Sequence, residues 1–474
     1  MGGFDRPDDG RLAAAVFWGL MATIAWAPLP FASNRPWAWL ALAFVALALL
    51  GLWGAAALRR PHLAAVSAAR HAPATALFGL AILWFLLQAT DWLPQPDPEL
   101  WRQAARALGA GMADTASLDP RATLQGVTRL LGYGAVFWLA MQYGRDARNA
   151  ERMLWAVAAA GTGYAVYGLV VYLGGNATVL GYPKWTYTGD LTSTFVSRNA
   201  YGAYAGLGLI AALGLIARIA AGGVSMGLGS RAGVTHFFDS LEPAFFVLLM
   251  SALTMATALL LSHSRGALAV SVLGVCTLFA ALATRRSNAS RYLGLAAVVV
   301  AGAGLAIVEF SGQATLGRYL QLAEQGTGRE AIHALARRAF ADAPVAGFGL
   351  DTFPQVFYLY RDASFAWTSG RYDKAHSVYL ELAVEGGAVG FCAIMGALAW
   401  VVGAVVLGVF RRRRNRTYPA VALGATTLVG IHGIYDFSVQ IPAVAVTWLA
   451  LLGIGFAQAW PTRNAHYDSE APLR

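Results

Sequence analysis

Apolar runs of about 20 residues recur along this chain from near its start to near its end. Each is long enough to cross a bilayer as a helix, since a helix rises about 1.5 Å per residue and the hydrocarbon core is about 30 Å thick. Twelve candidate spans follow, at about 12–32, 37–57, 75–92, 123–143, 153–173, 199–221, 244–262, 266–284, 292–310, 377–410, 418–436 and 441–460. Charged residues make up only 13% of the 474, too few for a chain whose whole surface faces water. The reading is an all-α polytopic membrane protein. The tenth span is overlong and carries Gly386 and Gly387 near its start, so it is tilted, kinked or preceded by a short helix. The first apolar run, Leu12 to Phe31, exceeds the length of a cleavable signal. Cys276 and Cys392 lie inside apolar runs and read as small buried hydrophobes.

Arginines order the loops. Arg59 and Arg60 follow span two, and Arg145, Arg148 and Arg152 follow span four. Arg285, Arg286 and Arg291 follow span eight, and the run Arg411 to Arg416 follows span ten. If every span crosses once, all four loops share one side, and the positive-inside bias makes it the cytoplasm. Both termini then lie inside. The net charge of +10 reflects these loops, so nucleic acid is not an expected partner.

The opposite face holds three longer segments, Leu93 to Ala122, Gly174 to Arg198 and Ser311 to Ala375. The last has seven Lys/Arg and six Asp/Glu, a near balance that the inner loops lack. Within it, GREAIHALARRAFADAP places Ile332, Leu335, Ala336, Ala339 and Phe340 at helical spacing, so an amphipathic helix is expected over the membrane face, ending before Pro344. GFGLDTFPQVFYLY then reads as a turn and an aromatic segment at the bilayer surface. The domain order is spans one to nine (1–310), the large loop (311–376), spans ten to twelve (377–460) and a cytoplasmic tail (461–474).

Arginine is disfavoured in short outer loops, yet Arg198 and Arg265 sit at outer helix ends, and Arg318, Arg329, Arg337, Arg338, Arg361 and Arg371 lie in the large loop. Solvated loop charge and helix-end snorkelling account for such residues one at a time. Arg265 is different, because the turn SHSRG is too short to let its guanidinium wander. Guanidinium pairs with phosphate in a bidentate fork, so the cluster points to a polyanionic headgroup such as a lipid diphosphate. His376, at the outer end of span ten, can accept a proton near neutral pH, or simply cap the interface. Glu385 lies nine residues on, half a turn out of phase, so it fits a helix contact or kink better than a partner for His376. Asp373 or Asp436 is a better orienting group, although His432 and Asp436, four apart, could instead satisfy each other. Asp97 and Glu99 form a lone acidic pair that reads as loop solvation, and no motif for ATP, nicotinamide or zinc is present. No metal or other cofactor is expected.

These pieces, in order, resemble the bacterial O-antigen ligase and polymerase superfamily. His376, Ser377 and Leu380, followed by Glu385, Gly387 and Gly390, match its histidine segment. Ser264, Arg265 and Gly266 match its S-R-G turn, and Phe195 to Asn199 its F-x-x-x-N element. Arg329, Pro344, Gly347 and Gly349 match its loop pattern, and His432, Asp436 and Phe437 its late H-x-x-x-D-F. Ser377 stands where the family commonly has asparagine, and His333 where it commonly has tryptophan.

The resemblance implies a GT-C-like fold in a Gram-negative inner membrane, with the active site in the periplasmic loop between spans nine and ten. The donor would be a polysaccharide on undecaprenyl diphosphate and the acceptor a sugar hydroxyl of lipid A–core. His376 and Arg265 would be catalytic. Arg198, Asn199, Arg329, Arg338 and Asp436 would bind substrate. The transfer would invert the anomeric centre without a metal. A polysaccharide polymerase or a protein O-oligosaccharyltransferase would use the same chemistry. A lipid-linked sugar transporter is the alternative of another class, disfavoured because the polar residues gather at the outer boundary and not at mid-span.

Overall fold

The computed structural model describes residues 7–93, 99, 102–103, 106–107, 109, 115–223, 243–284, 294–298, 302, 328–365, 372–412 and 414–461. Helices form at eleven of the twelve expected spans: α1 (Pro7–Trp26), α2 (Pro36–Arg59), α3 (Ala68–Gln88), α4 (Pro120–Tyr143), α5 (Ala147–Leu173), α6 (Arg198–Gly223), α7 (Pro243–Leu261), α8 (Arg265–Ala283), and, after two loop helices, α11 (Val378–Arg411), α12 (Thr417–His432) and α13 (Pro442–Ala457). Most of the ninth span, 292–310, lies outside the described residues. Seven of the described helices are long and apolar enough to cross a membrane: α2, α3, α5, α6, α7, α8 and α11. The large-loop helices are α9 (Gly328–Asp342) and α10 (Phe353–Tyr360).

Short polar signals set the helix starts. Asp119 accepts the amide of Ala122 at the head of α4, and Asp146 accepts those of Arg148 and Asn149 at the head of α5. Ser264 and Ser377 cap α8 and α11. Proline opens α2, α4 and α13, where its missing N–H leaves no bond unmade. Helix α13 is apolar on every side and buried almost throughout, so it is the centre of the bundle, packed by α4 and α12. Helix α8 packs on α12, α6 on α5 and α7, and α3 on α11. Among the described residues, the structure departs from all-α at one place. Residues 178–183 form a two-strand antiparallel hairpin, β1 (Thr178–Val179) with β2 (Tyr182–Pro183).

Both cysteines differ from the sequence reading, Cys276 being half-buried and Cys392 exposed. A position in a bilayer-length apolar run can face lipid as well as protein, so apolar context alone does not imply burial. The large loop also differs from a helix lying free on the membrane. Ile332, Leu335, Ala336 and Ala339 of α9 bury against Phe348, Phe353, Phe357, Phe365 and Val384, a second small core beside the bundle.

That small core is fastened to the bundle through a break in α11. Gly387 has φ +59°, ψ −169°, which interrupts the helix and frees backbone groups. The loop after α9 takes them up: Phe348 N donates to Val384 O (3.1 Å), Gly349 N to Glu385 O (2.9 Å), and Ala388 N to Pro344 O (2.8 Å). From α3, Trp84 Nε1 donates to Gly386 O (2.8 Å) and Gln88 Nε2 to Glu385 O (2.8 Å). A Cβ at residue 387 would collide with the carbonyl of Val345. Gly387→Ala is therefore expected to lower stability by about 2–4 kcal/mol. Gly403→Ala, on the same helix with open space around its Cβ, should not. Melting of the two detergent-purified variants checks this, and equal melting temperatures would contradict it.

Candidate active site

Five chain segments meet at the end of the bundle that carries His376. They are the start of α6, the start of α8, the start of α9, the turn before α11 and the end of α12 with the turn after it. Three of the helices begin on arginine: Arg198 is the first residue of α6, Arg265 the first of α8, and Arg329 the second of α9. A helix N-terminus already carries about half a positive charge and unmade N–H groups, and a cation there is unfavourable by itself. Guanidiniums added to such ends make a pole suited to an anion.

The polar groups between these ends are joined. Ser264 Oγ donates to Asn199 Oδ1 (2.8 Å), and Asn199 Nδ2 donates to Asp436 Oδ2 (2.7 Å). Ser438 Oγ donates to the other oxygen of Asp436 (2.5 Å). One chain of bonds thus ties α8, α6 and the turn after α12. Phe437, next along, meets the His376 ring edge-on at 5.2 Å between centroids. Gly266 lies against Tyr435, whose hydroxyl donates to the Gly266 carbonyl (3.3 Å).

His376 is held in an unusual backbone shape, φ +54°, immediately before the cap Ser377. Such a conformation costs a non-glycine residue about 1–3 kcal/mol and persists only where its surroundings impose it. Glu381 imposes it here. Buried in the first turn of α11, its carboxylate accepts the amide of Ala375 (2.7 Å) and pairs with Lys374 (3.1 Å). On the other side, Val378 N donates to Gly433 O (2.8 Å). Burial pushes the His376 imidazole below its ordinary pKa, and the charges of Arg329 and His333 push the same way against the pull of Asp436. The neutral ring is therefore the favoured form at pH 7.

Neither expected orienting carboxylate bonds to this ring. Nδ1 of His376 is buried with no hydrogen-bond partner among the described residues. Asp436 spends its oxygens on Asn199 and Ser438, so it reaches His376 through space only. His432 and Asp436 do not satisfy each other through their side chains either, because both ring nitrogens of His432 are without a partner among the described residues. Glu385 is a kink contact: its Oε1 accepts the amide of Phe353 (3.0 Å).

Arg338 is not with the rest. It stands nine residues from Arg329 on α9, half a turn away, and pairs with Asp362 (2.7 Å). Arg198 is in place but engaged, donating to Asp190 Oδ2 (2.9 Å) with its guanidinium over Tyr187. The other oxygen of Asp190 meets His263 Nδ1 (3.0 Å). Arg265 is exposed at the head of α8. Arg371 and Asp97 lie outside the described residues, and Glu99 pairs with Arg102 (2.8 Å).

The sequence reading missed Asp190, His263 and Glu381. Glu381 had a signal, an acid in the first turn after the Ser377 cap. His263 also had one, since the dipeptide His-Ser opens both α8 and α11, each with the histidine at positive φ. Asp190 had none, because no spacing rule joins it to a residue 73 positions away.

Residues 250–395 match the O-antigen ligase family. The match bears out the resemblance to the O-antigen ligase superfamily over that part of the chain. It spans α7, α8, the large loop and the first half of α11, and so includes Arg265, Arg329 and His376. No curated protein matches the chain.

Glu381→Ala should lower stability by about 2–3 kcal/mol, below the usual 3–5 for breaking a buried pair because Lys374 keeps some exposure to water. Amide exchange should quicken at Ala375. Unchanged exchange there would show that Glu381 does not hold the His376 turn.

Proposed function

We propose that the chain is an O-antigen ligase. It moves a polysaccharide from undecaprenyl diphosphate to a sugar hydroxyl of lipid A–core at the periplasmic face of a Gram-negative inner membrane. The observation that carries this reading is the link between arginine-bearing helix starts and the turn of His376: Ser264 and Asn199, beside Arg265 and Arg198, bond through to Asp436, next to the Phe437 that packs on His376, and the charge of Arg329 acts on the same ring. A diphosphate headgroup is an anion suited to such helix starts, and their arginines stabilise the charge that grows as the diphosphate leaves.

In the step itself, the acceptor hydroxyl gives its proton to His376 as its oxygen attacks the anomeric carbon. The bond from that carbon to the diphosphate oxygen breaks, and the diphosphate departs with the electron pair. Attack opposite the leaving group inverts the centre. Arg265 and Arg329 bear on the diphosphate. Arg198 joins them by exchanging its contact with Asp190 for phosphate. Asn199 and Asp436 hold the frame between α6 and the turn that carries Phe437, and so set the ring of His376. No residue in this scheme holds a metal.

The test is transfer in detergent with purified donor and lipid A–core. His376→Ala should lose at least about 10²-fold in turnover, the usual scale for a positioned base. Arg265→Ala should lose a similar factor. EDTA should leave the wild-type rate unchanged. Full turnover by folded His376→Ala would end the mechanism.

The pH profile gives a sharper check. Arg329 is one of the charges that lower the His376 pKa, so its removal lets that pKa rise. At a given acidic pH more of the ring is then protonated and unable to act as base. The acid limb of the rate profile should move to higher pH in Arg329→Gln. A limb that stays in place, or moves down, would separate Arg329 from His376.

A further inference from the structure

The opposite end of the bundle carries a second cationic group, remote from the site above. Arg70, in the first turn of α3, lays its guanidinium over the Trp460 ring at 4.9 Å. Arg145, between α4 and α5, donates to the carbonyls of Ala457, Trp460 and Pro461 (each 2.8 Å), closing the C-terminal end of α13. Arg412, the residue that ends α11, is only 8% exposed, and its Nε has no hydrogen-bond partner among the described residues. Gly408, one turn earlier, presses against the backbone of Ala459, so the end of α11 also closes on Trp460. Three guanidiniums from three parts of the chain therefore come together, Arg70 and Arg145 at Trp460 and Arg412 near enough for its charge to act on Arg145. No carboxylate pairs with Arg70 or Arg412 among the described residues.

We propose that Arg70, Arg145 and Arg412 form a binding site for the phosphate of an anionic phospholipid headgroup. A guanidinium that is nine-tenths buried with an unmade donor needs an acceptor, and phosphate offers oxygens to several guanidiniums at once. Burial and then the charges of Arg70 and Arg412 push Arg145 below its ordinary pKa, so the three cations feel one another.

The surroundings favour a lipid over a free ion. Trp400 donates to the carbonyl of Arg70 (2.9 Å), and Trp400, Leu407 and Phe410 expose an apolar face of α11 beside the cluster. Acyl chains would lie along that face with the headgroup at the arginines, and Trp400 and Trp460 are the residue type suited to that interface. The cluster also falls at the end that the arginine bias assigns to the cytoplasm, where basic groups meet anionic lipid. This site does not depend on the transfer chemistry at the other end.

Native mass spectrometry of the detergent-purified protein tests it, with phosphatidylglycerol and phosphatidylcholine of identical acyl chains and with inorganic phosphate. Wild type should retain phosphatidylglycerol at concentrations where phosphatidylcholine does not bind. Arg70→Gln with Arg412→Gln should weaken that retention at least tenfold. Arg411→Gln, an exposed arginine at the same end, should not. Arg70→Gln alone covers the case in which the double variant fails to fold, and should weaken retention severalfold. Equal retention by Arg70→Gln and wild type would overturn the site. Retention that is the same for the two lipids, or that millimolar inorganic phosphate abolishes, would overturn the assignment to a lipid headgroup.

Discussion

The break at Gly387 is the constraint on which the rest of this structure depends. A helix that crosses hydrocarbon must satisfy its own backbone, and one that breaks must find donors and acceptors nearby. Here the loop from Pro344 to Gly349 supplies them through main-chain groups, and Trp84 and Gln88 of α3 supply the remainder. Main chain meets main chain only where no Cβ intervenes, which is why Gly347 faces the break across from Gly387. The join does more than mend a helix. It fixes the small core of α9 and α10 relative to the first three turns of α11, and so fixes Arg329 relative to His376.

Around that joint the site is assembled from helix ends and not from helix faces. This choice has an electrostatic consequence. The starts of α6, α8 and α9 each carry an arginine, and a cation at such an end is unfavourable by about 0.3–1 kcal/mol without an anion. Within the protein Asp190 relieves part of it, holding Arg198 and His263 together. Asp436 relieves another part through Asn199. The charge left over is what a diphosphate would meet.

Much of this was legible before the structure. Apolar length placed eleven helices, because a spanning helix is specified by composition over a long window, although α1, α3 and α5 begin at Pro7, Ala68 and Ala147, ahead of the expected 12, 75 and 153. The spacing of Ile332, Leu335, Ala336 and Ala339 gave the buried face of α9, and the phase argument against Glu385 as a partner of His376 held, since that carboxylate binds Phe353 instead. The contacts that organise the site were harder to see. Asp190 meets His263 across 73 residues, and Asn199 meets Asp436 across 237, distances over which no local rule operates. The expected bond between His432 and Asp436 failed for a related reason. Four residues apart places two side chains near each other only while the helix continues, and α12 stops at His432.

The two histidines that precede a capping serine show how the same local turn can be put to different ends. His263 and His376 share positive φ and the following cap, so their backbones are set alike. Their electrostatic settings are opposed. His263 faces a carboxylate that also holds Arg198, and its ring is fixed by that contact. His376 has no such contact at Nδ1, is pushed towards its neutral form by burial and then by Arg329, and is placed by packing on Phe437. A ring held by packing keeps its nitrogens for another molecule, whereas a ring held by a carboxylate has spent one. The sign of the shift has a further consequence for the fold. A histidine whose pKa is lowered on folding contributes its full stability above the unfolded value of about 6.5, and that stability is lost as the pH falls. Acid therefore works against both the base and the turn that presents it. The same burial that keeps His376 ready to take a proton makes the protein less tolerant of one already there.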